Sequence, residues 1–108
     1  MKNSLLILSL ALSNLLFAQP VGSIVGTVLD KDLNNEPLPF ANILIPEVNL
    51  GTTSDFDGLF ALDGLAEGDY IVNFSFVGYE TQKLPVTVIG GKVTELQVSL
   101  ASSSSALD

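Results

Sequence analysis

The stretch Thr53-Ser54-Asp55-Phe56-Asp57-Gly58-Leu59-Phe60 combines turn chemistry with the start of an alternating apolar pattern. Glycine adopts positive φ without steric cost, so an Asp-Gly pair between two apolar runs predicts a β-hairpin turn. Residues 52–53 are expected to form one short strand and residues 59–63 the next, with Phe60 and Leu62 on its inner face. The stretch therefore predicts two core strands joined by a tight turn.

The same stretch also offers clustered carboxylates, since Asp55, Asp57 and the nearby Asp63 supply the oxygen ligands that calcium prefers. An EF-hand register that places Gly58 at the invariant glycine fails, because its first and twelfth positions hold a threonine and a glycine. A looser calcium site between sandwich loops stays open. The simpler interpretation is that the Asp side chains accept hydrogen bonds from backbone N–H groups of their own turn.

The composition excludes several kinds of chemistry. The chain has neither cysteine nor histidine, and its four basic residues are all lysines. Zinc, copper and haem sites and Ser-His or Cys-His nucleophiles are therefore excluded. Paired carboxylates alone suit glycoside hydrolysis, but the chain has no tryptophan to hold a sugar and no insertions that would build a cleft. We expect no catalytic site and no cofactor.

The net charge limits the class of partner. Twelve acidic residues outnumber four lysines, which gives a formal charge of −8 at pH 7. Such a surface repels nucleic acid and anionic lipid headgroups, so nucleic-acid binding is excluded. A protein partner with a basic face is favoured instead.

Residues 1–18 have the organisation of a secretory signal peptide. A Met1-Lys2-Asn3 head precedes an apolar run over residues 4–17, and the small Ala18 marks the predicted cleavage site. The run is shorter than the roughly 20 apolar residues that a membrane span needs. Export is therefore predicted, with an uncleaved N-terminal anchor as the alternative.

Residues 19–100 are predicted to form one small domain. Apolar residues recur with period two and turn residues interrupt them every eight to twelve positions, which is typical of an antiparallel β-sandwich without helices. The strand that begins at Tyr70 is expected to be central and covered on both faces, until Gly78-Tyr79 ends it. About seven strands are predicted, at residues 24–28, 41–45, 52–53, 59–63, 70–77, 83–89 and 94–100.

Residues 101–108 contain four consecutive serines, which bury no apolar surface, and are predicted to be a solvated linker. A linker of this kind suggests that the sequence is a fragment of a longer protein. The alternative is the frayed C-terminal tail of a complete small protein.

An ordered set of short motifs resembles the carboxypeptidase-regulatory-like domain over about residues 21–100. The resemblance implies a transthyretin-like (prealbumin-like) β-sandwich that serves as an accessory rather than a catalytic module. It also implies structural roles for the motif residues. The motifs are Gly26-Thr27-Val28-Leu29-Asp30, Leu38-Pro39-Phe40-Ala41-Asn42-Ile43, residues 53–60 with Asp55, Asp57, Gly58 and Phe60, Gly68-Asp69-Tyr70, and Gly78-Tyr79.

Domains of this family follow the signal peptide in many SusC-like, TonB-dependent outer-membrane receptors, ahead of a linker, a TonB box, a plug and a β-barrel. Ala106-Leu107-Asp108 resembles the first residues of such a box. The resemblance implies a non-catalytic periplasmic domain that reaches the membrane only through the missing barrel. Its expected partners are the energy-transducing machinery or the receptor's own plug. A secreted accessory or adhesive module, alone or attached to a peptidase, and a calcium-dependent carbohydrate-binding sandwich remain alternatives.

Overall fold

The computed structural model describes residues 20–103, so the predicted signal peptide and Ala106-Leu107-Asp108 lie outside the described residues. Two short 3₁₀ helices, Lys31–Leu33 and Pro46–Val48, accompany eight strands. Pro46 directly follows a strand and begins the second of these helices, since proline cannot donate to a ladder. The strands are β1 (Val21–Asp30), β2 (Glu36–Pro37), β3 (Asn42–Ile45), β4 (Leu50–Thr53), β5 (Leu59–Ala66), β6 (Gly68–Ser75), β7 (Gln82–Val88) and β8 (Val93–Leu100).

The strands form two four-stranded sheets that pack as a sandwich, which confirms the predicted fold class. In the first sheet β1 pairs with β8 on one side and with β5 and then β2 on the other. The second sheet has the order β4-β3-β6-β7. The β1–β8 pair is parallel, unlike the antiparallel pairing expected throughout. Local alternation predicts strands but carries no information about which distant strand lies alongside.

The Asp57-Gly58 turn is not a hairpin, and this prediction was wrong. β4 pairs with β3 in the second sheet, whereas β5 pairs with β1 in the first, so the turn connects the two sheets. Gly58 does adopt the expected positive φ of 76°. An Asp-Gly pair specifies a tight reversal of the chain but not the sheet that each arm joins.

The core lies between the two sheets and is lined by the inward-facing side chains of both. The rings of Phe60 on β5 and Phe74 on β6 meet edge to face at a centroid distance of 5.5 Å and join the sheets. Full burial of each aliphatic or aromatic side chain contributes about 1.5–3 kcal/mol. The largest fully buried apolar side chains are those of Ile24, Val28, Ile43, Ile45, Val72, Phe74, Val88 and Leu100.

The strand that begins at Gly68 is central, as predicted, because β6 lies between β3 and β7. Its coverage on both faces was predicted wrongly. Val72 and Phe74 are buried, but Ile71 on the other face is 46% exposed and Asn73 is partly exposed. A two-layer sandwich covers only one face of each sheet, so an isolated outward isoleucine does not indicate a second covering layer.

Candidate functional site

Four segments lie at one end of the sandwich: residues 31–41, which include the two-residue strand β2, and residues 54–58, 76–81 and 101–103. Here this is called the exit end, and residues 101–103 are called the exit segment, because the chain leaves the sandwich through them. Backbone hydrogen bonds join these loops to one another and to the end of β1. The exit end therefore gathers residues that are far apart in the sequence.

Most of the motif residues singled out in the sequence lie at this end. Gly26 and Phe60 lie in the body of the sandwich, while Gly68 and Tyr70 lie at the opposite end, where the Tyr70 Oη donates to the Ala66 carbonyl at 2.6 Å. No local sequence pattern indicates that the remaining members come together in space. They are Asp30, Ala41, Asp55, Asp57, Gly58, Gly78 and Tyr79.

The exit segment pairs with the Gly78-Tyr79 turn. An isolated antiparallel bridge joins Tyr79 and Ser102. The N–H of the residue after Tyr79 donates to the Ala101 carbonyl at 2.9 Å, and the N–H of Ser103 donates to the Gly78 carbonyl at 2.9 Å. Three residues of the predicted 101–108 linker are thus attached to the sandwich.

The Tyr79 hydroxyl connects this turn to the end of β1. Its Oη donates to Asp30 Oδ2 at 2.5 Å, and the Asp30 side chain is almost completely buried. The other carboxylate oxygen of Asp30 accepts from the N–H of Asp32 at 3.0 Å. The hydrogen bond to Asp30, followed by burial and the nearby negative charges, raises the pKa of Tyr79 above its usual value. Tyr79 therefore acts as a neutral donor to a carboxylate.

Asp32 contacts the exit segment directly. Its Oδ2 accepts from the N–H of Ser102 at 2.8 Å. Hydrogen bonds from Ser102, first from its side chain and then from its backbone, lower the pKa of Asp32 below its usual value. The ionised carboxylate is thus the form that binds the exit segment. We name Asp30, Asp32, Gly78 and Tyr79, together with the exit segment, the exit clamp.

Sequence reasoning missed Asp32 and Ser102. Asp32 belongs to none of the motifs singled out, and Ser102 lies in the predicted linker. They are separated by 70 positions, and no local pattern reports a contact over that distance. The only available signal was the Asp30-x-Asp32 spacing, in which the first carboxylate accepts from the backbone N–H two residues later.

The structure does not bring the three calcium candidates together around one point. Asp55 Oδ1 accepts from the N–H groups of Asp57 and Leu59, both at 2.9 Å, so it is engaged by its own turn. Asp63 lies further along β5. Among residues 20–103 no group of three or more carboxylates is placed to hold a metal ion.

The two packed four-stranded sheets define the class of protein: a small transthyretin-like β-sandwich. A profile of the CarboxypepD_reg-like domain matches residues 24–108, and the chain belongs to that family.

Comparison with curated proteins finds similarity to receptors. The chain is 43% identical over 82 residues to the TonB-dependent receptor SusC of Bacteroides thetaiotaomicron. The matched residues make up 76% of this chain and 8% of the receptor. It is 33% identical over 63 residues to the TonB-dependent receptor P39 of Formosa agariphila, covering 58% of this chain and 6% of that receptor. The chain thus spans less than a tenth of the length of these relatives.

Solved structures share the fold. The Bacillus anthracis TIE protein superimposes with a TM-score of 0.63 at 20% identity, covering 77% of this chain and 17% of that one. The minor pilin GBS52 of Streptococcus agalactiae superimposes with a TM-score of 0.62 at 14% identity. This match covers 79% of the present chain and 46% of the pilin chain. Identities this low establish the architecture alone. Within residues 20–103, no helix has the length and apolar character needed to cross a membrane.

Proposed function

We propose that this chain is the non-catalytic, N-terminal periplasmic domain of a TonB-dependent outer-membrane receptor, exported by residues 1–18. In this role it modulates how the segment after Ser103 engages the energy-transducing machinery. The relationship to SusC and the small fraction of that receptor covered support the placement. The observation that carries the modulating role is the exit clamp, which attaches the departing chain to the sandwich.

The clamp has a strength suited to reversible control. Two backbone hydrogen bonds and the Asp32 contact hold the exit segment directly, and a typical hydrogen bond contributes about 0.5–1.5 kcal/mol net. Asp32 is exposed, so its contact adds little beyond the backbone pairs. The segment is therefore ordered at rest, yet it can detach when a partner binds or pulls the chain that follows.

Substrate uptake by a full-length receptor that contains this domain tests the proposal. Asp32→Asn combined with Tyr79→Phe removes a charge that holds Ser102 and the hydroxyl that holds Asp30. We expect the uptake rate per receptor to change by roughly threefold or more, chiefly because the lost Tyr79–Asp30 hydrogen bond is worth about 1 kcal/mol. The amount of receptor in the outer membrane should stay unchanged.

The chain offers a matched control at the opposite end of the sandwich. Asp69→Asn combined with Tyr70→Phe also changes one exposed carboxylate and removes one tyrosine hydroxyl. The Asp69 carboxylate accepts from Thr87 Oγ1, and the Tyr70 hydroxyl donates to the Ala66 carbonyl. This control should leave uptake at the wild-type rate. Equal uptake in the wild-type receptor and the clamp variant would contradict the modulating role, and an equal change in both variants would show only general destabilisation.

A further inference from the structure

Two aromatic rings at the exit end project from neighbouring loops into solvent. Phe40 is 55% exposed and Phe56 is 80% exposed. Their ring centroids lie 5.3 Å apart with planes at 76°, an edge-to-face contact. These two residues are here called the aromatic pair. Aromatic residues, phenylalanine among them, are enriched in protein interfaces, and exposed apolar patches mark interaction sites.

The backbone of Phe40 is strained. Its φ of 64° lies in the left-handed region, where Cβ crowds the following carbonyl oxygen. Four non-glycine residues among residues 20–103 have positive φ, and the other three are asparagines, which tolerate this region. Glycine or asparagine would fit position 40 with less strain. The phenylalanine ring is therefore explained better by a contact outside the domain than by folding.

Both loops are held in place independently of the rings. The buried Ser54 hydroxyl donates to the Leu38 carbonyl at 2.7 Å and accepts from the Ala41 N–H at 2.9 Å. The Phe40 N–H donates to the Ser54 carbonyl at 3.0 Å, and the Asp55 carboxylate accepts two backbone N–H groups of its turn. The aromatic pair is thus preorganised, which reduces the entropy lost when a partner binds.

The charges of the exit-end loops favour one class of partner. The loops of the exit end carry a single lysine, Lys31, against five carboxylates. Nucleic acid and anionic membranes are repelled by this charge, and a second copy would bring like charges together. A protein surface bearing Lys or Arg is favoured. The five carboxylates are those of Asp32, Glu36, Asp55, Asp57 and Glu80.

We propose that Phe40 and Phe56 form a protein-docking site that inserts into an apolar pocket bordered by Lys or Arg side chains on a separate protein. Two further apolar side chains on exit-end loops, Leu33 and Val77, are 56% and 91% exposed. Three observations support the site: the exposure of both rings, the positive φ of Phe40 and the negative charge of the exit-end loops. It goes beyond the proposed receptor role and does not depend on the exit clamp.

Binding of a defined probe to the full chain tests this site. The probe is a labelled peptide with leucines flanked by lysines, compared with a peptide that has glutamates in place of the lysines, by fluorescence anisotropy. We expect the cationic peptide to bind and Phe56→Ser to weaken binding at least tenfold. Val93→Ser, which removes another exposed apolar side chain at the opposite end, should change it less than twofold.

Three results of the peptide-binding experiment are incompatible with this docking site. Absence of binding at about 1 mM cationic peptide, equal affinity for the acidic peptide, or equal loss in Phe56→Ser and Val93→Ser would each overturn the proposal. Phe40→Gly supplies an independent readout. It should weaken peptide binding while leaving the melting temperature unchanged or raised, because glycine relieves the strain at positive φ. A fall of more than about 5 °C would show that folding requires the ring and would also overturn the proposal.

Discussion

Replacement of Gly58 with alanine is expected to lower the free energy of unfolding by about 3 kcal/mol or more. Gly58 is buried and has a φ of 76°. A Cβ at this position would lie 2.5 Å from the Val28 carbonyl oxygen and 3.2 Å from the Pro37 Cβ. The backbone cannot move away easily, because the Val28 N–H donates to the Gly58 carbonyl at 2.7 Å. Strain at positive φ and steric overlap therefore add together.

Gly64→Ala separates these two contributions. Gly64 has a similar φ of 71°, but a Cβ there would meet no atom within 4 Å. Its substitution should cost only the conformational strain, about 1–2 kcal/mol. Urea denaturation at constant m-value measures both variants. Equal losses in the two would show that the close approach of Gly58 to β1 is absent.

Gly26→Ala is expected to lower the free energy of unfolding by about 1–3 kcal/mol, the usual penalty for forcing extra volume into a packed site. A Cβ on Gly26 would overlap the Leu96 carbonyl oxygen and lie 2.8 Å from Phe60 Cζ. The Leu96 backbone is held by the β1–β8 ladder over residues 23–30 of β1, so it cannot retreat. The Phe60 ring covers the glycine, and this packing requires the absence of a side chain.

Gly51→Ala is the matched control for a strand glycine. Its Cβ would approach the Ile43 carbonyl oxygen to 3.2 Å, which needs only a small shift, and its φ is not in the left-handed region. Alanine is also favoured over glycine in a strand by about 0.5–1 kcal/mol. We expect a change near zero in the urea midpoint. A loss in Gly26→Ala no larger than in Gly51→Ala would contradict the packing of Phe60 over Gly26.

The alternation of apolar and polar residues along the chain predicts much of the fold. In β8, Val98 and Leu100 face the core while Glu95 and Gln97 are exposed, and this period of two predicts the strand correctly. The errors concern long-range pairing: the parallel β1–β8 ladder and the crossing between sheets at Gly58. Pairing depends on the packing of the whole chain, so a pattern of a few residues cannot specify it.

The candidate site likewise combines features that local sequence predicts with long-range contacts that it does not predict. Turn residues such as Asp55 and Gly58 were recognisable, because their chemistry is local: a carboxylate that accepts neighbouring N–H groups and a glycine at positive φ. The exit clamp was not, since Asp30 and Tyr79 are 49 positions apart. The carboxylates of the turn, first considered for calcium, thus serve their own turn, and the candidate site lies where the chain leaves the sandwich.

Amide hydrogen exchange of the exit segment tests the central claim most directly. In the full chain, the Ser103 and Glu80 N–H groups donate to backbone carbonyls across the clamp. Their exchange should be at least about tenfold slower than in an unstructured chain, as expected for hydrogen-bonded amides. Asp32→Asn with Tyr79→Phe should speed it, whereas Asp69→Asn with Tyr70→Phe should not. Unprotected exchange at both amides in the wild-type chain would contradict the account, because the exit segment would then not be held by the sandwich.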